Sequence, residues 1–119
     1  MAKKYLMVIT HSLDDQDRAN AAVGMAVSLL SEGSELALFF VFEGAKMARK
    51  GVAETITGEY MTPVRELFPI LLDGNPSMYV CGACIKKYKI PEDDLIKGVK
   101  IATLPTVTAE MMDRETIMF

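Results

Sequence analysis

The sequence predicts an α/β fold: a mostly parallel sheet of about five strands, covered by helices on both faces. Three observations predict it. Short runs at residues 5–10 and 36–42 are apolar on both faces, the second throughout, as strands buried on both faces are. The stretches between such runs carry apolar residues at helical spacing. The two kinds of segment alternate, and a β-α-β-α order implies parallel strands joined by right-handed crossovers.

The elements follow in order. Residues 5–10 read as the first strand, and 11–15 as a polar loop. Ala19, Ala22, Val23, Ala26, Leu29 and Leu30 then define one helical face; Asp14 or Asp15 caps its start and Gly33 ends it. Residues 36–42 form the second strand, and 43–57 a helix interrupted by Gly51. Thr62-Pro63 opens a helix with apolar face Val64, Leu67, Phe68 and Leu71, and with Pro69 inside it. Asp73-Gly74-Asn75-Pro76 is a turn. The third strand, 77–80, runs directly into Cys81-Gly82-Ala83-Cys84 and a short helix over 83–88. Residues 91–98 form a helical turn, with Pro and acids first and Lys then Gly last. A fourth strand at 99–104, a helix at 106–114 and a terminal edge strand at 116–119 complete the chain.

The totals restrict what such a fold does. The chain has 119 residues, half of them hydrophobic and 24% charged, which suits a single globular domain over 1–119. A net charge of −3 argues against nucleic acid as a partner. No apolar run approaches the roughly 20 residues that a membrane-spanning helix needs. The apolar stretch after the basic start is too short for a signal-peptide core, so the expected location is the cytoplasm. There the two cysteines stay reduced, and a structural disulfide does not explain them. Most of the nine methionines read as core filler, but Met111, Met112 and Met118 suit a subunit contact.

Ligand sites in parallel sheets form beyond the carboxyl ends of the strands. His11, Glu43 and Cys81 each follow a strand and are expected on one rim. Cys81 is the expected catalytic residue. It lies where a strand ends and a helix begins, and the free N–H groups of a helix start favour a thiolate, the nucleophilic form. Lys86 and Lys87 add positive charge, and Cys84 is near enough for sulfur exchange or a disulfide. His11 reads equally as an acid, base or substrate-orienting group and as a loop residue bonded to nearby backbone. Asp14, Asp15 and Asp17 read as a helix start rather than a metal cluster. Two Cys and one His fall short of the four ligands of structural zinc. No metal or organic cofactor is expected, and no nucleotide-binding glycine motif or zinc-protease motif occurs.

Several segments, in this order, resemble the DsrE/DsrF-like (TusD-like) sulfur-relay family. They are Thr10-His11-Ser12-Leu13-Asp14-Asp15 with the alanine-rich helix after it, Gly33-Ser34-Glu35 with Leu36 to Phe40, Phe42-Glu43-Gly44-Ala45, Arg49-Lys50-Gly51, and Tyr79-Val80-Cys81-Gly82-Ala83-Cys84. The resemblance covers nearly the whole chain. It implies a flavodoxin-like three-layer fold, assembly as a homotrimer or homohexamer, and cytoplasmic sulfur transfer. A cysteine at the position of Cys81 would carry persulfide sulfur between protein thiols, with a TusA-like carrier as one partner. Cys84 matches the branch of the family that has a second cysteine. Two other readings of the same residues stand beside this one: a non-catalytic oligomeric subunit or binding module, and a dithiol redox protein using Cys81 and Cys84.

Overall fold

The computed structural model describes residues 2–119. Its five strands are β1 (Lys4–Ile9), β2 (Glu35–Phe40), β3 (Ser77–Cys81), β4 (Val99–Ala102) and β5 (Glu115–Met118). They form one sheet in the order β4-β3-β2-β1-β5, and every neighbouring pair is parallel. The helices are α1 (Gln16–Ser31), α2 (Val64–Asp73), α3 (Gly82–Lys87) and α4 (Leu104–Asp113).

The strand order fixes the layers. From β1 to β4 each crossover steps the same way along the sheet, so right-handed connections put α1, α2 and α3 on one face. The connection from β4 returns past β1 to β5, which puts α4 on the other face. The result is the three-layer α/β sandwich expected from the sequence. It has a second consequence: the chains leaving β3 and β4, which are neighbours, diverge to opposite faces. A crevice must open between their carboxyl ends.

The core is built from the central strands. Leu6, Met7 and Ile9 of β1 and Ala37, Leu38 and Phe40 of β2 are fully buried, as runs apolar on both faces require. The buried face of α1 is mostly alanine (Ala19, Ala22 and Ala26), which lets its backbone lie close to the sheet and to α2. Asp15 is its N-cap and accepts the Arg18 N–H at 3.1 Å. Val64, Phe68 and Leu71 of α2 are buried, with Pro69 inside the helix as the sequence placed it.

Three elements differ from the sequence reading. Residues 43–57 are not an α-helix but two 3₁₀ segments, Phe42–Ala48 and Ala53–Thr55, separated by Gly51 at φ +85°. The first segment packs its Gly44 against the end of β1. A Cβ there would lie 2.0 Å from the Ile9 carbonyl oxygen, so only glycine fits. β4 stops at Ala102, and α4 begins at Leu104 instead of residue 106, with Pro105 in its first turn. Cys81 ends β3 and is itself the N-cap of α3.

Candidate functional site

Cys81 owes its position to the strand-to-helix junction. It pairs with Ala102 of β4 at the carboxyl end of the sheet, and its side chain is partly exposed. Its sulfur caps α3 by accepting the Cys84 N–H at 3.4 Å. The sulfur opens on a cleft of about 680 Å³, bordered by Gly82, Lys86, Ile101, Thr103 and Leu104. This cleft is the crevice between β3 and β4 that the diverging crossovers demand. A Cβ on Gly82 would come within 3.2 Å of Ile101, so the glycine keeps the two walls close.

Cys84 is in a different environment. It is 7% exposed, and its sulfur accepts the Phe42 N–H at 3.2 Å. Burial pushes the Cys84 thiol up, and its interaction with the Cys81 side chain acts the same way; the Phe42 N–H and Lys87 pull less strongly downward. At neutral pH Cys84 is therefore a protonated thiol. Both cysteines are free.

The other rim residues form a polar network beside the sulfurs. The Ser12 hydroxyl, fully buried, donates to the Glu43 carbonyl oxygen at 2.6 Å and ties the ends of β1 and β2 together. His11 Nδ1 lies 2.7 Å from the Asp14 carboxylate, which also accepts the Ser12 N–H at 2.9 Å. Burial alone would raise the Asp14 carboxyl, but the Ser12 N–H and the His11 ring outweigh it and hold it below its usual value. Glu43 is held low first by Lys46, at 2.9 Å, and then by Tyr88. Hydrogen bonding to that carboxylate pushes the Tyr88 phenol up to about 12. The Lys46 ammonium stands 4.6 Å from the Tyr88 ring centre, and that of Lys87 5.2 Å.

The structure brings His11, Glu43 and Cys81 to the same end of the sheet, as expected. His11 is engaged by Asp14, and among the described residues no hydrogen bond joins it to either sulfur. Asp15 caps α1, and Asp17 accepts the Glu59 N–H at 2.9 Å, so these acids hold backbone. No group of three or more His, Cys, Asp or Glu among the described residues is arranged to hold a metal ion. Sequence reasoning missed Phe42 and Tyr88. Phe42 reads from the sequence as the last residue of the second strand, but β2 ends at Phe40 and Phe42 opens the 3₁₀ segment. Tyr88 had no signal, because its partner Glu43 is remote in sequence.

Fold and site together define a parallel α/β protein with a strand-end cysteine at a topological switch point. The chain belongs to the DsrE/DsrF-like family, whose sequence profile matches residues 3–119. It is 28% identical over 115 residues to an uncharacterized protein of Methanocaldococcus jannaschii, covering 97% of each chain. It is 26% identical over 113 residues to an uncharacterized protein of Methanopyrus kandleri, covering 95% of this chain and 90% of that one. Among solved structures, the ychN protein of E. coli superposes over 100% of both chains with a TM-score of 0.79 at 20% identity. A protein of unknown function from Methanobacterium thermoautotrophicum matches with a TM-score of 0.75 at 14% identity, over 98% of this chain and 99% of that one. These likenesses concern the fold.

Proposed function

We propose that this protein is a cytoplasmic sulfur carrier that holds persulfide sulfur on Cys81. The observation that supports this most is the Cys81 sulfur itself, partly exposed in the β3–β4 cleft with a helix N–H directed at it. An acceptor of that kind suits an anionic sulfur, whether thiolate or persulfide. Family membership supports the same reading, since DsrE-like proteins work in sulfur relays.

The transfer needs only thiol chemistry. The Cys81 thiolate attacks the outer sulfur of a donor persulfide; a new S–S bond forms, the donor's S–S bond breaks, and the donor leaves as a thiolate. An acceptor thiolate then attacks the terminal sulfur on Cys81 and restores the Cys81 thiolate. No electrons are gained or lost overall. Lys86 at the cleft supplies positive charge for the anionic sulfur, and Ile101 and Leu104 offer an apolar wall to a partner. In this reading the donor and acceptor are proteins, with a small TusA-like carrier as one of them. The chain works as a homotrimer or homohexamer, for which the exposed Met112 and Met118 supply apolar contact surface.

Incubation with a persulfide donor or tetrathionate, followed by intact mass measurement, tests the reading. The expected result is an adduct that Cys81→Ser abolishes. Absence of any adduct on the wild-type protein would overturn it.

A further inference from the structure

The carrier reading leaves Cys84 without a part, yet the fold goes to some length to place it. Cys84 lies one helical turn behind Cys81, and its own N–H is the group that reaches the Cys81 sulfur. Its side chain is buried behind the cleft rather than in it. The turn after β2 closes over it: the Phe42 N–H meets the Cys84 sulfur at 3.2 Å, and Phe42 stands in the left-handed region at φ +55°. A phenylalanine held at positive φ is strained, and strain of this kind collects at functional sites.

We propose that Cys84 gives the site a second outcome: release of Cys81-bound sulfur as hydrosulfide, leaving a Cys81–Cys84 disulfide. The proposal rests on the carrier reading for the identity of the bound sulfur. The step balances without an added oxidant. The Cys84 sulfur attacks the Cys81 sulfur and forms the S–S bond of the disulfide. The bond from Cys81 to the terminal sulfur breaks, and its electron pair leaves with that sulfur. The terminal sulfur, already anionic, departs as hydrosulfide with the proton that Cys84 gives up. The sulfane sulfur is reduced by two electrons and the two cysteine sulfurs are oxidised by the same two. A further round needs a thiol or dithiol reductant to reopen the disulfide.

The surroundings of Cys84 set the rate of this release. The groups facing it are the Cys81 sulfur from β3, the Phe42 N–H from the turn after β2, Lys87 from α3, and Tyr88 beyond that helix, with its partner Glu43. Burial keeps the thiol protonated at neutral pH. Sulfur on Cys81 is therefore retained long enough to reach an acceptor, and because the Cys84 proton goes to the departing sulfur, discharge changes little with pH while Cys84 is protonated and the bound persulfide is anionic.

The test loads Cys81 with polysulfide, removes the excess, and follows free sulfide and intact mass with time at neutral and alkaline pH. Wild-type protein is expected to release one sulfide per chain and to end as the intramolecular disulfide. Cys84→Ser is expected to keep the extra sulfur, with release about tenfold slower or more. Equal release from both proteins, or wild-type protein ending as a free dithiol, would overturn the proposal. A second measurement separates it from the carrier reading. With excess dithiobis(nitrobenzoate), an attacking Cys84 resolves the mixed disulfide on Cys81 and yields two thionitrobenzoates and a disulfide, while Cys84→Ser stops at one with the adduct retained. If polysulfide never loads Cys81 but this contrast holds, the carrier reading fails and the nucleophilic role of Cys84 stands. If wild-type protein keeps the nitrobenzoate adduct, that role fails.

Discussion

The backbone N–H of Phe42 donates to the sulfur of Cys84 at 3.2 Å, and this bond joins the end of β2 to the helix that follows β3. Phe42 itself stands at φ +55°, while its ring is 64% exposed. The side chain thus offsets little of the backbone strain. Phe42→Gly is expected to preserve the N–H and stabilise the protein by up to about 1 kcal/mol, since glycine tolerates this conformation. Urea denaturation measures it. A loss of stability instead would show that the ring makes contacts the isolated chain depends on.

The two cysteines should differ sharply toward an alkylating reagent. Cys81 is partly exposed in the cleft, whereas Cys84 is buried and its thiol is pushed up by that burial. Limited iodoacetamide at neutral pH is expected to modify Cys81 and spare Cys84, as read by peptide mass mapping. Urea should remove the difference. Equal labelling in the folded protein would contradict the burial of Cys84 and, with it, the retention of sulfur argued above.

Gly44 gives the most severe expected substitution. Its missing Cβ leaves room for the Ile9 carbonyl, which an alanine would meet at 2.0 Å. Either the 3₁₀ segment or the end of β1 must move, and both belong to the rim. Gly44→Ala is expected to cost about 3 kcal/mol or more, at the upper end for single substitutions. Gly33→Ala is the control. It sits at φ +86° with nothing within 4 Å of a new Cβ, so only the conformational cost of about 1–2 kcal/mol applies. Comparable losses in both would refute the steric argument.

Asn20 shows where sequence reading stopped short. Alternating apolar runs and helical spacing located the strands and the main helices; burial on both faces imposes that pattern on β1 and β2, whereas the edge strands β4 and β5 are largely exposed and follow from the alternation of elements alone. The same pattern located Cys81, since a strand end is a defined place. The 3₁₀ segments were read as a helix because Ala45, Met47 and Ala48 are buried at spacings that a tight turn and an α-helix share. Asn20 is not among the apolar residues whose spacing defines the face of α1, yet it is 1% exposed. Its amide donates to the Thr62 carbonyl at 2.9 Å and accepts the Gly58 N–H at 2.8 Å. Partners 38 and 42 residues away leave no local trace. Asn20→Ala leaves those two backbone groups without their partner, so a loss of about 2–3 kcal/mol is expected in urea unfolding.

The pairing of Tyr88 with Glu43 makes a pH-dependent expectation. The phenol is pushed from 10.0 up to about 12, chiefly by hydrogen bonding to the Glu43 carboxylate. The folded state therefore favours the neutral phenol relative to the unfolded chain. Its contribution is complete below pH 10 and is lost as pH rises from there toward about 12. Ultraviolet titration of the wild type against Tyr88→Phe isolates the tyrosinate signal of this one residue, which should appear only near pH 12. Glu43→Gln removes the charge while keeping a hydrogen-bond acceptor, and should move the signal back toward pH 10. The same substitution frees Lys46 from its carboxylate partner, so the ammonium that stands over the Tyr88 ring would then favour the phenolate further. An unchanged titration in Glu43→Gln would mean that burial, and not the carboxylate, sets the phenol.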